Sequence, residues 1–285
     1  MKKVTLTLKI MLFLIIMLGI CISAEAQKID DVQNGRVRAK SPVRIDGKLT
    51  EWGDTLKAYN KSTKLWYTLA NDDKNIYLVI KSTNQANNNK ILASGISLAI
   101  NTADKKKDKE AFIITYPVIA SIGGRGAGRG RRGFGQQQDA PDSAAIADQQ
   151  KTTLATAKEI SAIGFKDITD TLISIYNEYS IKAAANFDAK GNFIYELSVP
   201  LSLLGITADG KTEISYNIKV NGQQAMGNFM RINGGSLTIS GNGAGGGGFN
   251  NNGAAAFGSK HDSASGDISV PDDFWGRYIL VGPTP

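Results

Sequence analysis

Short runs of apolar and aromatic residues alternate with turn residues along most of the chain. KLWYTLAND and NIYLVIKST are rich in aromatic and β-branched residues and meet at Asn71-Asp72-Asp73-Lys74, which predicts a hairpin. GISLAINT and AFIITYPV flank the charged turn ADKKKDKE, and SIKAAANFD and NFIYELSV flank Ala189-Lys190-Gly191. EISYNIKV and FWGRYILV complete the set. The pattern predicts an all-β fold, an antiparallel β-sandwich of the jelly-roll or immunoglobulin-like kind.

Helical signals are few. PLSLLG after Val199 predicts one helical turn, because Pro200 stands at its start and Gly205 at its end. Residues 143–158 are the one stretch of helical composition, so we expect a single short helical segment.

Two long segments lack core-forming residues. They cover about residues 121–143, rich in Arg and Gly, and about 222–266, rich in Gly and Asn. Neither can bury enough apolar surface to offset its ordering entropy. Because strand-like sequence resumes after each, we predict flexible Gly-rich insertions in one sandwich domain over residues 27–285.

The N-terminus has the pattern of a secretory signal peptide. Lys2 and Lys3 precede an almost wholly apolar run, and Ala24-Glu25-Ala26 follows it, which predicts cleavage after residue 26 and export to the periplasm or beyond the cell. A retained anchor and lipidation of Cys21 are the alternatives. Cys21 is the only cysteine, so the cleaved chain has no disulfide and no Cys-based metal site. After cleavage we expect no transmembrane span.

Charge adds little to this interpretation. The formal charge is +7, and the signal segment holds three lysines and one glutamate, so about +5 remains. Much of it is an arginine run that includes Arg125 and Arg129. Flexible Arg-Gly tracts with aromatics bind single-stranded nucleic acid, but an exported chain points instead to a soluble basic loop or an acidic polymer. We therefore expect no specific nucleic-acid partner.

The residues for known catalytic chemistry are scarce. His261, the only histidine, stands in a Gly/Ser/Asn tract, where a catalytic triad would lack a rigid base, and zinc would lack ligands. We predict no cofactor, although NDD at 71–73 and PDD at 271–273 offer oxygen ligands to calcium. Two carboxylates could hydrolyse a glycoside, so a glycan-active enzyme stays a weak alternative to our expectation of no catalysis.

One ordered set of motifs resembles a known family. SPVRIDGKLTEWGDTLKAY followed by KLWYTLANDDKNIYLVIKST resembles the start of family-9 carbohydrate-binding modules and the related DOMON-like sandwiches. SGISLAINT, GNFIYELSVPLSLLGI, EISYNIKVNG and FWGRYILV follow in that family's order. The resemblance implies a structural turn formed by Asp46, Gly47 and Trp52, in which Gly47 permits a tight turn and Trp52 buries apolar surface.

The family's sugar site is not matched. Its two stacking tryptophans fall where this chain has NNNKILAS and GDISVPDD, and the acidic residue often found on the intervening strand falls near Ser97. Trp66 and Trp275 remain as stacking candidates within strand patterns, and Arg125 and Arg129 as contacts for an acidic ligand.

The resemblance implies an exported, non-catalytic binding module with a glycan or another cell-envelope component as its partner. The alternative is an envelope structural or interaction domain that has lost sugar binding. The oligomeric state is left open by the sequence.

Overall fold

The computed structural model describes residues 29–40, 42–53, 55–103, 110–119, 143–222 and 270–283. These residues form mainly β-structure. The strands are β1 (Ala58–Asn60), β2 (Leu65–Asn71), β3 (Asn75–Ser82), β4 (Ile96–Asn101), β5 (Phe112–Val118), β6 (Glu159–Ile163), β7 (Leu172–Ser174), β8 (Lys182–Phe187), β9 (Phe193–Pro200), β10 (Glu213–Val220) and β11 (Asp272–Ile279). The helices are α1 (Gln85–Ser94), α2 (Ser143–Ala155) and a 3-10 helix (Leu201–Leu204).

The strands form two antiparallel sheets, which confirms the predicted β-sandwich. One sheet has the order β1-β2-β3-β9-β8 and the other the order β11-β10-β4-β5-β6-β7. The three predicted hairpins are hydrogen-bonded pairs, and the two remaining predicted strands, β10 and β11, also pair with each other. Pairing of β3 with β9 and of β4 with β10 joins segments that are far apart in sequence. Each sheet is therefore held together by long-range strand pairs.

The core lies between the sheets. Alternation along each strand sends one set of side chains inward, as with Leu65, Tyr67 and Leu69 on β2, and their counterparts on β9, β10 and β4 complete one apolar cluster. The tyrosines of this cluster bury a large apolar area, and Tyr67 and Tyr216 satisfy their hydroxyls against each other at 3.0 Å. The described residues include no helix long and apolar enough to cross a membrane.

The helices are the part of the fold that differs from expectation. Helix α2 and the 3-10 helix occur where predicted, but α1 was not expected, because its sequence QANNNKILAS has poor helix formers. Its ends carry the missed signals: the Asn84 side chain accepts the Asn87 backbone N–H, and Gly95 stands at the C-terminus with φ of 75°. The prediction of a single short helical segment is therefore wrong, since the described residues contain two α-helices and one 3-10 helix.

Two further predictions fall outside the described residues. The signal peptide ends before the first described residue, and nearly all of both Gly-rich segments lies in the gaps at 120–142 and 223–269.

Candidate functional site

The outer face of the five-stranded sheet carries a second layer of chain. Val37, Val43, Ile45 and Trp52 pack onto Tyr77 and its neighbours, forming an apolar cluster separate from the main core. The segment 43–52 contains the Ile45-Asp46-Gly47 motif, so the motif lies flat on the sheet.

A buried carboxylate holds this motif in place. Glu196 on β9 is fully buried, and its Oε2 accepts the backbone N–H groups of Asp46, Gly47 and Lys48 at 2.8, 2.7 and 3.3 Å. Its Oε1 accepts the indole N–H of Trp52 at 2.7 Å. We call this arrangement the Glu196 clamp. Four donors converging on one carboxylate satisfy a charge that would otherwise be costly to bury.

The glycine of the motif fits this geometry for two reasons. Gly47 has φ of 75°, and a Cβ there would lie 2.9 Å from the carbonyl carbon of Ala185. The backbone therefore approaches β8 more closely than a side chain would allow. These contacts suit the structural role predicted for Asp46, Gly47 and Trp52, which stays a prediction.

Burial and hydrogen bonding act on Glu196 in opposite directions. Removal from water raises the pKa of the Glu196 carboxyl, while the indole and backbone N–H donors work to lower it, and the net direction is upward.

Trp52 connects the clamp to a neighbouring polar group. Its ring centroid lies 5.8 Å from that of Tyr77, and the Tyr77 hydroxyl donates to Asp72 Oδ2 at 2.6 Å. Burial acts to raise the pKa of Asp72, but hydrogen bonds from Tyr77 and from the backbone of Lys74 and Asn75 outweigh it and hold the pKa below its ordinary value. Burial and the adjacent carboxylate raise the pKa of Tyr77. Tyr77 is therefore a fixed hydrogen-bond donor to Asp72.

Beside Tyr77 lies a cavity of about 820 Å³, which we call the outer cleft. Its walls come from the motif segment, the β3 and β9 ends, the loop before β8 and the 3-10 helix. They combine apolar or aromatic groups with hydroxyl, amide and charged groups: Val43, Ile45, Tyr77, Tyr179, Pro200, Leu201, Leu203 and Ile206, and Asp73, Lys74, Asn75, Glu178, Ser180, Lys182, Ser198, Ser202 and Thr207.

The loop before β8 shapes one wall of the cleft. Ser180 adopts φ of 61°, an uncommon conformation for a residue other than glycine. Asn177 braces the loop through its side-chain amide, which donates to the carbonyls of Ser174 and Ile181 at 2.8 Å each. Tyr179 is half-buried and lines the cleft, whereas Tyr176, three residues earlier, is 84% exposed and lies outside it.

The charged groups of the cleft are unequally engaged. Both carboxylate oxygens of Asp73 accept from the Arg38 guanidinium at 2.9 Å. Lys74 and Lys182 have no ion-pair partner among the described residues and are exposed. Asp73 is therefore partly neutralised where it borders the cleft.

The sequence-predicted aromatic residues lie elsewhere. Trp66 is half-buried on the outer face of the same sheet, with its ring 4.9 Å from that of Tyr59. Trp275 is half-buried on the edge strand β11, opposite Asn217 of β10. Neither lines the outer cleft, and the two occupy different sheets. Arg125, Arg129 and His261 lie outside the described residues.

The carboxylates proposed for calcium have other partners. Asp72 and Asp73 bind Tyr77 and Arg38, Asp272 pairs with the buried Lys90 at 2.6 Å, and Asp273 accepts the Asn217 amide at 2.6 Å. Across the part of the chain that the structure describes, no three His, Cys, Asp or Glu side chains form a group suited to a metal ion.

Two sequence positions compared with the predicted sugar site can be located in the structure. NNNKILAS forms most of α1, and Ser97 on β4 is buried, with its hydroxyl 2.7 Å from that of Thr115 and 2.9 Å from the Asn221 amide. These side chains bind one another and form a closed polar network.

Most cleft residues were missed because the segments that supply them show no functional motif; Asp73, in the NDD stretch proposed for calcium, is the exception. Tyr179 lies in a loop that the pattern left unassigned, and Glu196 resembles an ordinary outward-facing strand residue in NFIYELSV. The adjacent Glu178 and Tyr179, in the turn-rich loop before β8, were the available signals.

Comparison of the chain with models of protein families gave no match, and comparison with curated proteins gave none either.

Proposed function

We propose that the protein is an exported, non-catalytic binding module and that the outer cleft binds carbohydrate. The observation that carries the proposal is the composition of the cleft wall. Sugars present apolar C–H faces and hydroxyl edges, and the wall places Tyr179, Ile45 and Ile206 beside hydroxyl and charged groups. A cavity of about 820 Å³ lies within the usual range for small-molecule sites.

The cleft is also preformed. Tyr77 and Ser198 are directly opposite each other on β3 and β9, and Tyr77 is fixed by Asp72 and packed against Trp52. Groups held on strands lose little freedom when a ligand binds, so more of the contact energy appears as affinity.

Binding is favoured over hydrolysis by the state of the carboxylates. Asp73 and Glu178 both line the cleft, and a glycosidase needs two carboxyl groups with distinct roles. Because both Asp73 oxygens accept from the Arg38 guanidinium, this carboxylate already has a partner within the chain. An envelope interaction domain that has lost sugar binding is the main alternative.

A glycan array probed with residues 27–285 would test the proposal, followed by calorimetry on the best neutral and acidic oligosaccharides. Tyr179→Ala should weaken binding about tenfold or more, which corresponds to about 1.4 kcal/mol. Tyr176→Ala is the matched control, since it removes the same side chain from the same loop but outside the cleft, and its affinity should equal that of the wild type.

Three results would contradict the proposal. Absence of glycan binding would favour the interaction domain. Equal losses in both tyrosine variants would indicate a general effect on the loop. Loss on Trp66→Ala with full binding by Tyr179→Ala would move the site to the Tyr59–Trp66 pair.

A further inference from the structure

A second cavity opens at the free edge of the five-stranded sheet. It has a volume of about 250 Å³, and we call it the edge pocket. Residues 183–186 of β8, the end of α2 with the residues after it, and Tyr116 of β5 form its walls. Its lining is Tyr116, Lys151, Leu154, Ala155, Ala157, Lys158, Ile175, Ala183, Ala184, Ala185 and Asn186. It shares no residue with the outer cleft.

The charges of the edge pocket have one sign. Among the described residues, Lys151 and Lys158 are the charged groups of its lining, and no described carboxylate lines it. Both lysines are exposed and have no ion-pair partner among the described residues. The pocket therefore offers a negatively charged ligand two cations without a competing anion.

Its walls are apolar and its volume suits a single ring. Three consecutive alanines, Leu154 and Ile175 supply small and aliphatic surface. An apolar cavity of about 150 Å³ admits benzene, so a cavity of about 250 Å³ leaves room for a ring with two small substituents.

The inner end of this region holds poorly satisfied hydroxyls. Tyr116 is buried, and its hydroxyl reaches the Ala157 carbonyl only at 3.5 Å, a long hydrogen bond. The ring of Tyr195 lies 6.2 Å from that of Tyr116. Tyr195 is fully buried, directly opposite Ala185, and its hydroxyl has no partner in the described part of the chain. Of these two hydroxyls, that of Tyr116 belongs to a residue lining the pocket, so a polar group supplied from the pocket would give it a closer partner than the Ala157 carbonyl and would be stabilising.

From these features we infer that the edge pocket binds a small aromatic carboxylate with a hydroxyl on the far side of its ring. The ring would lie against the alanines, Leu154 and Ile175. Its carboxylate would pair with Lys151 and Lys158, and its hydroxyl would bond near Tyr116. This inference does not depend on carbohydrate binding in the outer cleft.

Calorimetry with three probes would test it on the full exported chain: 4-hydroxybenzoate, benzoate and 4-hydroxybenzyl alcohol. We expect 4-hydroxybenzoate to bind about tenfold more tightly than the alcohol, with a preference that shrinks as salt rises, because exposed charge pairs are screened. Benzoate should be weaker than 4-hydroxybenzoate, since it lacks the inner hydrogen bond.

Two variants and one control variant separate the contributions. Lys151→Gln with Lys158→Gln should remove the preference for the carboxylate. Lys57→Gln with Lys211→Gln makes the same charge change on exposed lysines that line neither cavity, and should leave it intact. Tyr116→Phe should make 4-hydroxybenzoate and benzoate bind equally.

The probe series on wild-type protein is decisive even if a variant fails to fold. Equal binding of acid and alcohol, or no binding of any probe at millimolar concentration, would overturn the inference. A carboxylate preference that survives loss of both lysines would overturn it too.

Discussion

The Glu196 clamp makes a specific energetic prediction about its two side chains. Glu196→Gln keeps one oxygen for the three backbone N–H groups of residues 46–48, but it turns an amide N–H₂ toward the indole N–H of Trp52. Two donors then face each other at a site where the carboxylate oxygen accepts at 2.7 Å. The effect of the glutamine should therefore depend on whether Trp52 is present.

The magnitudes follow from the hydrogen bonds involved. A hydrogen bond to a charged group contributes about 1.5–3 kcal/mol, and a buried donor without a partner costs about 1–3 kcal/mol. We expect Glu196→Gln to destabilise the protein by about 2–3 kcal/mol and Trp52→Phe by about 2 kcal/mol. The double variant should be about 1–2 kcal/mol more stable than the sum of the two single-variant losses predicts, because phenylalanine removes the indole N–H that the glutamine amide faces.

Urea unfolding of the four proteins at pH 8 measures this coupling. Trp66→Phe combined with Glu196→Gln is the matched control, since Trp66 is a tryptophan on the same outer sheet face that is not among the hydrogen-bond donors to Glu196. In this double-mutant cycle the two single-variant effects on stability should add to within about 0.5 kcal/mol. If the effects of Trp52→Phe and Glu196→Gln on stability add equally well, the indole contact does not stabilise the carboxylate. The clamp would then consist only of its backbone donors.

Two further predictions concern buried groups. Tyr195→Phe removes a buried hydroxyl that has no partner among the described residues, so the unliganded protein should be unchanged or about 1 kcal/mol more stable. A loss of stability above about 1 kcal/mol would reveal a hidden partner. Tyr67→Phe is the control, since it removes a paired hydroxyl and should be destabilising. The pKa of Glu196 in the folded protein is raised above its ordinary value of 4.5. The stabilising contribution of the uncharged side chain is therefore complete below about pH 4.5 and is lost as pH rises through the pKa of the folded state. Wild-type stability relative to Glu196→Gln, measured by urea unfolding from pH 4 to 8, should therefore fall with rising pH, and a difference that rises would contradict the direction.

The sandwich could be predicted because its longest strands are runs rich in aromatic and β-branched residues with turn residues between them. The three predicted hairpins and the β10–β11 pair comprise the strands of six to eight residues, each bounded by turn residues. Strands β1, β6 and β7 have three, five and three residues, too few for periodicity to distinguish them from loop. Helix α1 failed for a different reason, since asparagine disfavours helix and only the end caps indicated it.

The candidate site depended on contacts that leave no local trace in the sequence. Glu196 is 150 residues from Asp46 and 144 from Trp52, and in its strand pattern it occupies a position that normally faces water. It is buried only because the motif segment folds back over it. The closed network around Ser97 could likewise not be read from β4 alone, because its partners lie on β5 and after β10.

The clamp and the outer cleft share a sheet face but draw on different parts of the chain. Three of the four clamp donors are backbone N–H groups, so the clamp constrains side-chain identity mainly at Gly47, Trp52 and Glu196. The loop at 178–180 and the 3-10 helix supply much of the cleft and make no bond to Glu196, so their side chains can change without removing what fixes the motif. Tyr77 is one exception, since it contacts Trp52 and lines the cleft. Val43 and Ile45 are others, since they belong to the motif segment and also line the cleft. Because rigid scaffolds with variable loops are a common way to alter binding, we propose that the Ile45-Asp46-Gly47 motif contributes to the fold and that the loops around it determine the ligand.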